Sequence, residues 1–313
     1  MIAAVIVSHH PNQARLAENI EALRFQVAAV VVVDNASPIH TQHWLAQPQQ
    51  SGVHVLQLLH NRGIADAQNE GISFAKRLGA AFVLFLDQDS RPVGDMVSRL
   101  HRGYLGLTAR GEKVAALCPC YSDPISRHPS SFLRVGKWRV RRIDCTSAVV
   151  RDYLNVDVTI ASGMFVSIGI LEDIGMMDAR LFIDHVDTEW CLRARGKGYR
   201  LYVDCSATLL HSLGEAGTRV WFGRWRRIPV HSPIRHYYRI RNSMLLARRA
   251  YVPAAWIVHE LIGRILAAAF VLIGGPSRLR TLAMILRGFK DGLTQRCGPY
   301  SKDLSQAVSN AEG

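Results

Sequence analysis

The sequence predicts an α/β fold built on a buried parallel sheet that becomes mixed toward its later strands. Three observations carry this. Apolar runs of five to eight residues alternate with helical stretches through residues 1–90, the pattern of βαβ units. The runs are nearly continuous in Val, Ile, Leu and Ala, as strands covered on both faces require. Each run ends in polar residues, and the carboxyl edge of an open α/β sheet is where its ligands bind.

Taken in order, strands are expected over 2–8, 28–33, 53–59 and 81–86, with helices over 12–25 and 65–78 between them. The polar ends are Ser8, Asp34-Asn35, Asn61-Arg62-Gly63 and Asp87-Gln88-Asp89. From about residue 114 the pattern changes. Short strands over 114–117, 159–166 and 200–203 stand in less periodic sequence, and a helix covers 186–197. Residues 253–292 read as helical, apolar and basic. The apolar stretch 254–275 is interrupted by His259, Glu260 and Arg264. Its uncharged part, 265–277, has 13 residues where a membrane span needs about 20, so an interfacial or core helix is expected.

The chain has 313 residues, 49% of them hydrophobic and 20% charged, which excludes disordered and collagen-like classes. Its net charge of +13 is unevenly placed: residues 1–212 carry 22 basic and 20 acidic side chains, and residues 213–313 carry 16 and 5. A near-neutral body therefore continues into a basic extension, which suits a polyanionic partner such as acidic lipid, nucleic acid or a phosphorylated substrate. The six cysteines are too scattered for a secreted disulfide scaffold, and reduced thiols in a cytosolic protein are expected. The N-terminus has no basic segment followed by a long apolar run, so no signal peptide is read there.

Four groups of residues could carry chemistry. Asp87 and Asp89, just past a buried strand, can place carboxylate on Mg²⁺ or Mn²⁺, although a solvated turn has the same sequence. In the segment 61–71, Gly63 can admit a ligand close to the backbone, and the helix start behind it favours an anion. The ordinary alternative is a strand–helix turn with Ala67 and Gly71 as a small packing face. In 182–193, Asp184 and Asp187 share a helix face, or one of them caps the helix with Glu189 in its first turn. Trp190 is either core or a platform for a sugar ring. In 231–242, Arg and Tyr alternate, as phosphate contacts through Arg239 or as a solvated basic helix.

The ordered set of Ser8, Asp34-Asn35, Asn61-x-Gly63, Ala67-x-Asn69-x-Gly71, Asp87-x-Asp89, Ser162-Gly163, Asp184-x-x-Asp187-x-Glu189-Trp190 and His211 resembles the family 2 inverting glycosyltransferases of GT-A fold, and within them the bacterial rhamnosyltransferases of cell-surface polysaccharide assembly. The likeness covers about residues 2–245, implying a GT-A nucleotide-binding domain with a mixed central sheet over 1–245. A helical, basic, membrane-associating extension would occupy 246–313.

The resemblance implies roles. Ser8 and Asp34 would line the base pocket, Gly63 and Asn69 would border the nucleotide-sugar site, and Asp87 would face the ribose. Asp89 and His211 would hold the Mg²⁺ or Mn²⁺ ion that bridges the donor diphosphate. Asp187 would be the catalytic base, with Gly163 and Trp190 on the acceptor side; Asp184 is a further acceptor-side candidate that could share or compete for the base role, and Arg239 joins that side from the Arg–Tyr segment. The chain departs from the family pattern in having Val186 before Asp187, where an acidic pair is usual, and Gln88 at the centre of the metal motif.

The implied partners are a nucleotide sugar, dTDP-rhamnose first, and a glycan or polyprenyl-diphosphate-linked acceptor at the inner face of the cell membrane; self-association is compatible with the sequence. Two other classes use similar features. A basic nucleic-acid-binding protein would show a recognised module, and none is read here. A nucleotidyltransferase would need a Gly- and Lys-rich phosphate loop, which residues 5–20 lack.

Overall fold

The computed structural model describes residues 1–46, 52–122, 130–145, 153–211, 217–221, 225–229, 232–274 and 278–300. His231 and residues 275–277, singled out above, lie outside the described residues. Two compact units comprise the described parts of 1–134, 141–212 and 298–313, and of 135–140 with 213–297. The division thus falls after residue 212, earlier than the expected boundary at 245.

The first unit holds a nine-stranded mixed sheet. Its parallel half is β1 (Ile2–Ser8), β2 (Ala29–Asp34), β3 (Val53–Gln57) and β4 (Phe82–Asp87), in the order β3-β2-β1-β4. These strands are the expected ones to within one or two residues. Between them run α1 (Gln13–Arg24), α2 (Ile39–Leu45) and α3 (Ile64–Arg77). Asn12 starts α1 by accepting the Arg15 N–H at 3.1 Å. On α3, Ala67 and Gly71 are buried, and a side chain at Gly71 would run into Val5 and Val33. The small face therefore lets the helix lie close on β1 and β2.

Beyond β4 the order continues β10-β6-β11-β5, with β9 also on β11. These are β5 (Ser90–Pro92), β6 (Val114–Ser122), β9 (Tyr153–Val156), β10 (Phe165–Ser167) and β11 (Arg200–His211), while β7 (Ser131–Val135) and β8 (Val140–Asp144) form a separate ladder. Strand β10 is antiparallel to both neighbours, which makes the sheet mixed. The strand expected over 159–166 is instead β10 alone, entered through a turn at Gly163, whose φ is +87°. Strand β11 is longer than expected because a register shift between Asp204 and Thr208 interrupts its alternation without ending it. The remaining helices are α4 (Met96–Ala109), α5 (Ile168–Ile174) and α6 (Val186–Gly196).

Not all cysteines are reduced. Cys145 and Cys205 are joined, with Cα atoms 5.4 Å apart, while Cys118, Cys120, Cys191 and Cys297 are free. Spacing along the chain could not show this pair, because β11 brings it together across 60 residues.

The second unit contains the ladder β12 (Gly217–Trp221) with β13 (Trp225–Pro229) and three helices, α7 (Pro233–Ala247), α8 (Ala254–Gly274) and α9 (Arg278–Leu293). Helix α7 belongs here because it packs on α9: Tyr237 Oη donates to Asp291 at 2.8 Å, and Gly288 leaves room for the Tyr237 backbone. The alternating Arg–Tyr segment is consequently not a solvated helix. His236, Tyr237, Tyr238, Arg241 and Asn242 are buried, with the Arg241 guanidinium 4.9 Å from the Tyr238 ring centroid.

Candidate active site

Parallel register brings the polar strand ends to one edge, with Ser8 level with Asp34, and Val7 level with Asp87. At the β1–β2 corner the Asp34 carboxylate is wholly buried. It accepts the Ser37 N–H at 3.1 Å, the Ser8 hydroxyl at 3.3 Å and the Ser37 hydroxyl. Asp34 thus organises the loop after β2. Asn35 beside it joins the corner to the loop after β3, donating to Asn61 Oδ1 and accepting the Arg62 N–H at 2.9 Å.

His9 closes this corner. Its Nδ1 lies 2.9 Å from the Asn35 carbonyl, which can only accept, so Nδ1 carries the proton. Burial, and then the neighbouring His10, holds the imidazole below its ordinary pKa and therefore neutral. The His9 N–H donates to Gln88 Oε1 at 2.8 Å, and the Gln88 carbonyl accepts from Asn19 at 2.7 Å. Gln88, the departure from the family pattern, fastens the metal motif to the end of β1.

Asp87, Asp89 and His211 form one group whose ligand atoms all lie within 4.8 Å of one another. His211 ends β11, opposite Ser90 on β5. Its Nε2 is 4.0 Å from Asp87 Oδ2, and its Nδ1 is 3.9 Å from Asp89 Oδ1. Both gaps are too long for hydrogen bonds, and the one at Nε2 leaves room for a cation between the imidazole and Asp87. Two carboxylates and an imidazole suit Mg²⁺ or Mn²⁺.

The group has a supporting layer in which Ser90 is new and Ser162, a position of the family set, gains a structural role. Ser90 Oγ lies 2.7 Å from His211 Nδ1, Ser162 Oγ lies 2.7 Å from Ser90 Oγ, and Ser162 accepts the Asp87 N–H at 3.2 Å. Both serines are buried. With the Nδ1 proton donated to Ser90, Nε2 keeps its lone pair for a cation. The Tyr121 ring stands edge-on to the imidazole at 6.4 Å.

The acidic segment lies in electrostatic reach of this group. Asp187 lies in the first turn of α6, and its charge is near enough to help raise the Asp87 carboxyl. The segment before it is wound tightly, with φ at +64° for Phe182, +63° for Asp184 and +62° for His185. His185 holds the N-cap position of α6, so neither Asp184 nor Asp187 is the cap. Burial raises the Asp187 carboxyl, opposed by the Thr188 N–H 2.7 Å from Oδ1 and by His185, while Asp184 adds to the rise.

Several expected ligand contacts are structural instead. Gly63 makes its close approach to the Phe182 carbonyl, which accepts the Ile64 N–H at 2.8 Å; a Cβ there would lie 2.5 Å from that oxygen. The helix start behind Gly63 is thus partly filled by the acidic segment. Asn69 uses both amide functions on the Met177 backbone, at 2.9 and 3.0 Å. Trp190 is wholly buried, with its ring N–H on the Gly175 carbonyl, and so presents no face to a sugar. Gly163 is buried beneath Pro119, which a Cβ would meet at 2.6 Å, and so does not line the acceptor side. Glu189 is buried and held by Arg193 at 2.9 and 3.0 Å. Asp184 is partly exposed, and Arg239 lies on α7 of the second unit.

The crowding has a consequence for pH. Asp87 is pushed up to about 6, first because the surrounding protein withdraws water from its carboxylate. His211 pulls it back, and the charges of Asp89 and Asp187 raise it further. The carboxylate form that a cation needs is then present above that value and lost as pH falls through it. Mn²⁺ affinity should be level above about pH 6 and fall about tenfold per pH unit below it, with proton release on binding. Calorimetry in two buffers of different ionisation enthalpy measures both; an affinity unchanged down to pH 5 contradicts the expectation.

The profile of "Glycosyl transferase family 2" matches residues 4–106. Over 293 residues, 93% of this chain and 95% of the relative, the sequence is 32% identical to the "dTDP-rhamnosyl transferase RfbF" of Shigella flexneri. Among solved structures it is similar to S. aureus TarS 1-349 in complex with UDP-GlcNAc, with a TM-score of 0.57 at 15% identity over 94% of this chain and 81% of that one. It is also similar to GalNAc-T7 with UDP, GalNAc and Mn2+, with a TM-score of 0.54 at 12% identity over 85% of this chain, which spans 54% of that one. At these identities the two structures speak for the fold.

Proposed function

The chain belongs to glycosyl transferase family 2 and is a glycosyltransferase of GT-A fold, and from that premise we propose that it transfers rhamnose from dTDP-rhamnose, with inversion and with a divalent cation, to a glycan or polyprenyl-diphosphate-linked acceptor in cell-surface polysaccharide assembly. The observation that carries this reading is the Asp87–Asp89–His211 group, with Asp187 in electrostatic reach of Asp87. The donor rests on the likeness to RfbF along nearly the whole chain.

In this reading the loop that the buried Ser8–Asp34 pair organises takes the base, with Asp87 toward the ribose. Asp89 and His211 hold the cation, beside Asp87. The cation, when bound, offsets the charge that builds on the diphosphate leaving group. Asp187 takes the proton of the acceptor hydroxyl, and its raised carboxyl is nearer to neutrality than an ordinary one, as a general base requires. The acceptor oxygen attacks the anomeric carbon opposite the leaving group. The bond to the diphosphate oxygen breaks with its electron pair, leaving free dTDP and inverted configuration. The work is cytoplasmic, at the inner face of the cell membrane where a polyprenyl-linked acceptor is displayed.

The test is a screen of nucleotide sugars with Mn²⁺ or Mg²⁺, reading released nucleoside diphosphate. Release of dTDP from dTDP-rhamnose above that from UDP-sugars is expected. Release of pyrophosphate would mark nucleotidyl transfer instead, and no release from dTDP-rhamnose with either cation would remove the donor assignment.

A further inference from the structure

We propose that the outward faces of α8 and α9 dock this enzyme on an anionic lipid surface. The two helices are inverted relative to helices of a water-facing protein. On α8 the residues turned outward are Val258, Leu261, Ile262, Ile265 and Leu266, which are 52–65% exposed and spaced three or four apart on a single stripe. The side of α8 turned into the protein carries an ion pair, Glu260 with Arg264 at 2.9 Å, whose side chains are only 13% and 14% exposed. Glu260 is also bound there by the Ser243 hydroxyl of α7 at 3.0 Å.

Helix α9 repeats the inversion. Its buried side is Thr281, Gly288, Asp291 and Gly292, with Asp291 accepting from Tyr237. Gly288 and Gly292 let α9 sit against the Tyr237 backbone and Met244, where a Cβ would meet them at 2.5 and 2.8 Å. Outward stand Leu279, Leu286, Phe289 and Leu293, 49–83% exposed. Exposed apolar stripes on two helices of one unit mark an interaction surface.

Charge selects the occupant. The acidic residues of these two helices, Glu260 and Asp291, both point inward, so among the described residues of α8 and α9 the outer side offers cations and His259 beside its apolar groups and no carboxylate. Arg278, Arg280, Arg287 and Lys290 all lie on α9. A second copy meeting this face with its own would oppose like charges, whereas anionic headgroups over acyl chains satisfy both features. No described helix is long and apolar enough to cross a membrane, which fits helices lying in the interface. This inference does not depend on which sugar is transferred.

The experiment is co-sedimentation of the full chain with vesicles of phosphatidylcholine, with and without phosphatidylglycerol. The wild type should bind the anionic vesicles and be released by high salt. Leu261→Glu with Ile265→Glu alters exposed positions, so folding should survive, as circular dichroism and donor hydrolysis would register; binding should fall at least about tenfold. Arg280→Gln with Lys290→Gln should lower binding to anionic vesicles by about fivefold per charge and leave neutral vesicles unaffected. The proposal is overturned if the wild type ignores anionic vesicles at low salt, or if the Leu261/Ile265 variant binds like the wild type. It is equally overturned if that variant turns a lipid-indifferent dimer into a monomer, which would assign the face to a second copy.

Discussion

Asp187→Asn is expected to lower turnover about 10²–10⁴-fold while leaving nucleotide and Mn²⁺ binding in place, the range attributed to a positioned general base. Asparagine keeps the shape of the side chain and an oxygen for the Thr188 N–H, 2.7 Å from Oδ1, so the start of α6 need not move. What it loses is the capacity to take a proton. Stability should not suffer. The Asp187 carboxyl is raised by burial, so above its unfolded pKa the ionised form opposes folding, and a neutral amide removes that opposition. The wild type should accordingly lose some stability as pH rises from the unfolded carboxyl pKa through the raised one, and the variant should lose less. Asp184→Asn is the control, since Asp184 lies three residues earlier and adds to the raised pKa of Asp187. Single-turnover rates at saturating donor, with diphosphate affinity by calorimetry, separate the cases. Full activity in Asp187→Asn with loss in Asp184→Asn would move the base to Asp184; full activity in both would remove the acidic segment from the chemistry.

The parallel half of the sheet was legible because β1, β2 and β4 are buried on both faces and therefore read as unbroken apolar runs, each stopped by a polar residue. The mixed half was less so. Strand β10 has three residues and is antiparallel to both neighbours, and no periodicity announces such an insertion. The division of labour within the site was hidden for a different reason. Gly63 and Asn69 carry family positions, yet Gly63 receives the Phe182 carbonyl and Asn69 holds Met177, contacts across more than a hundred residues. Trp190 beside two carboxylates has the composition of a sugar platform, but the helix turns it inward to the Gly175 carbonyl. Ser90 and Ser162 are common residue types that gain meaning only when β5, β11 and the turn before β10 bring them to His211. The inverted α8 was half visible: its apolar composition was plain, whereas the inward direction of Glu260 and Arg264 depends on what α7 offers them.

Asp89→Ala should abolish most of the metal-dependent part of donor binding. Loss of an outer-layer partner typically costs 10–100-fold in metal affinity, and a direct ligand should cost at least about 100-fold. Asp89 Oδ1 is 3.9 Å from His211 Nδ1, and Asp87 Oδ2 is 4.0 Å from Nε2, so each carboxylate flanks the same ring and neither can replace the other. Removing Asp89 also removes one of the charges that raise Asp87, so the pH below which the remaining affinity falls should move down from about 6. A side chain with only a packing role would not shift that threshold. His211→Ala should lose affinity comparably but move the threshold upward, because His211 is what pulls the Asp87 carboxyl down. The two variants thus separate in sign on the pH axis even where they agree in affinity. Mn²⁺ titration followed by electron paramagnetic resonance, with and without dTDP, reads both quantities. The double variant should lose less than the two single losses added together, since residues on one ion are not independent. Unchanged Mn²⁺ affinity in Asp89→Ala, or thresholds that move together, would show that the three side chains share a cleft without sharing a cation.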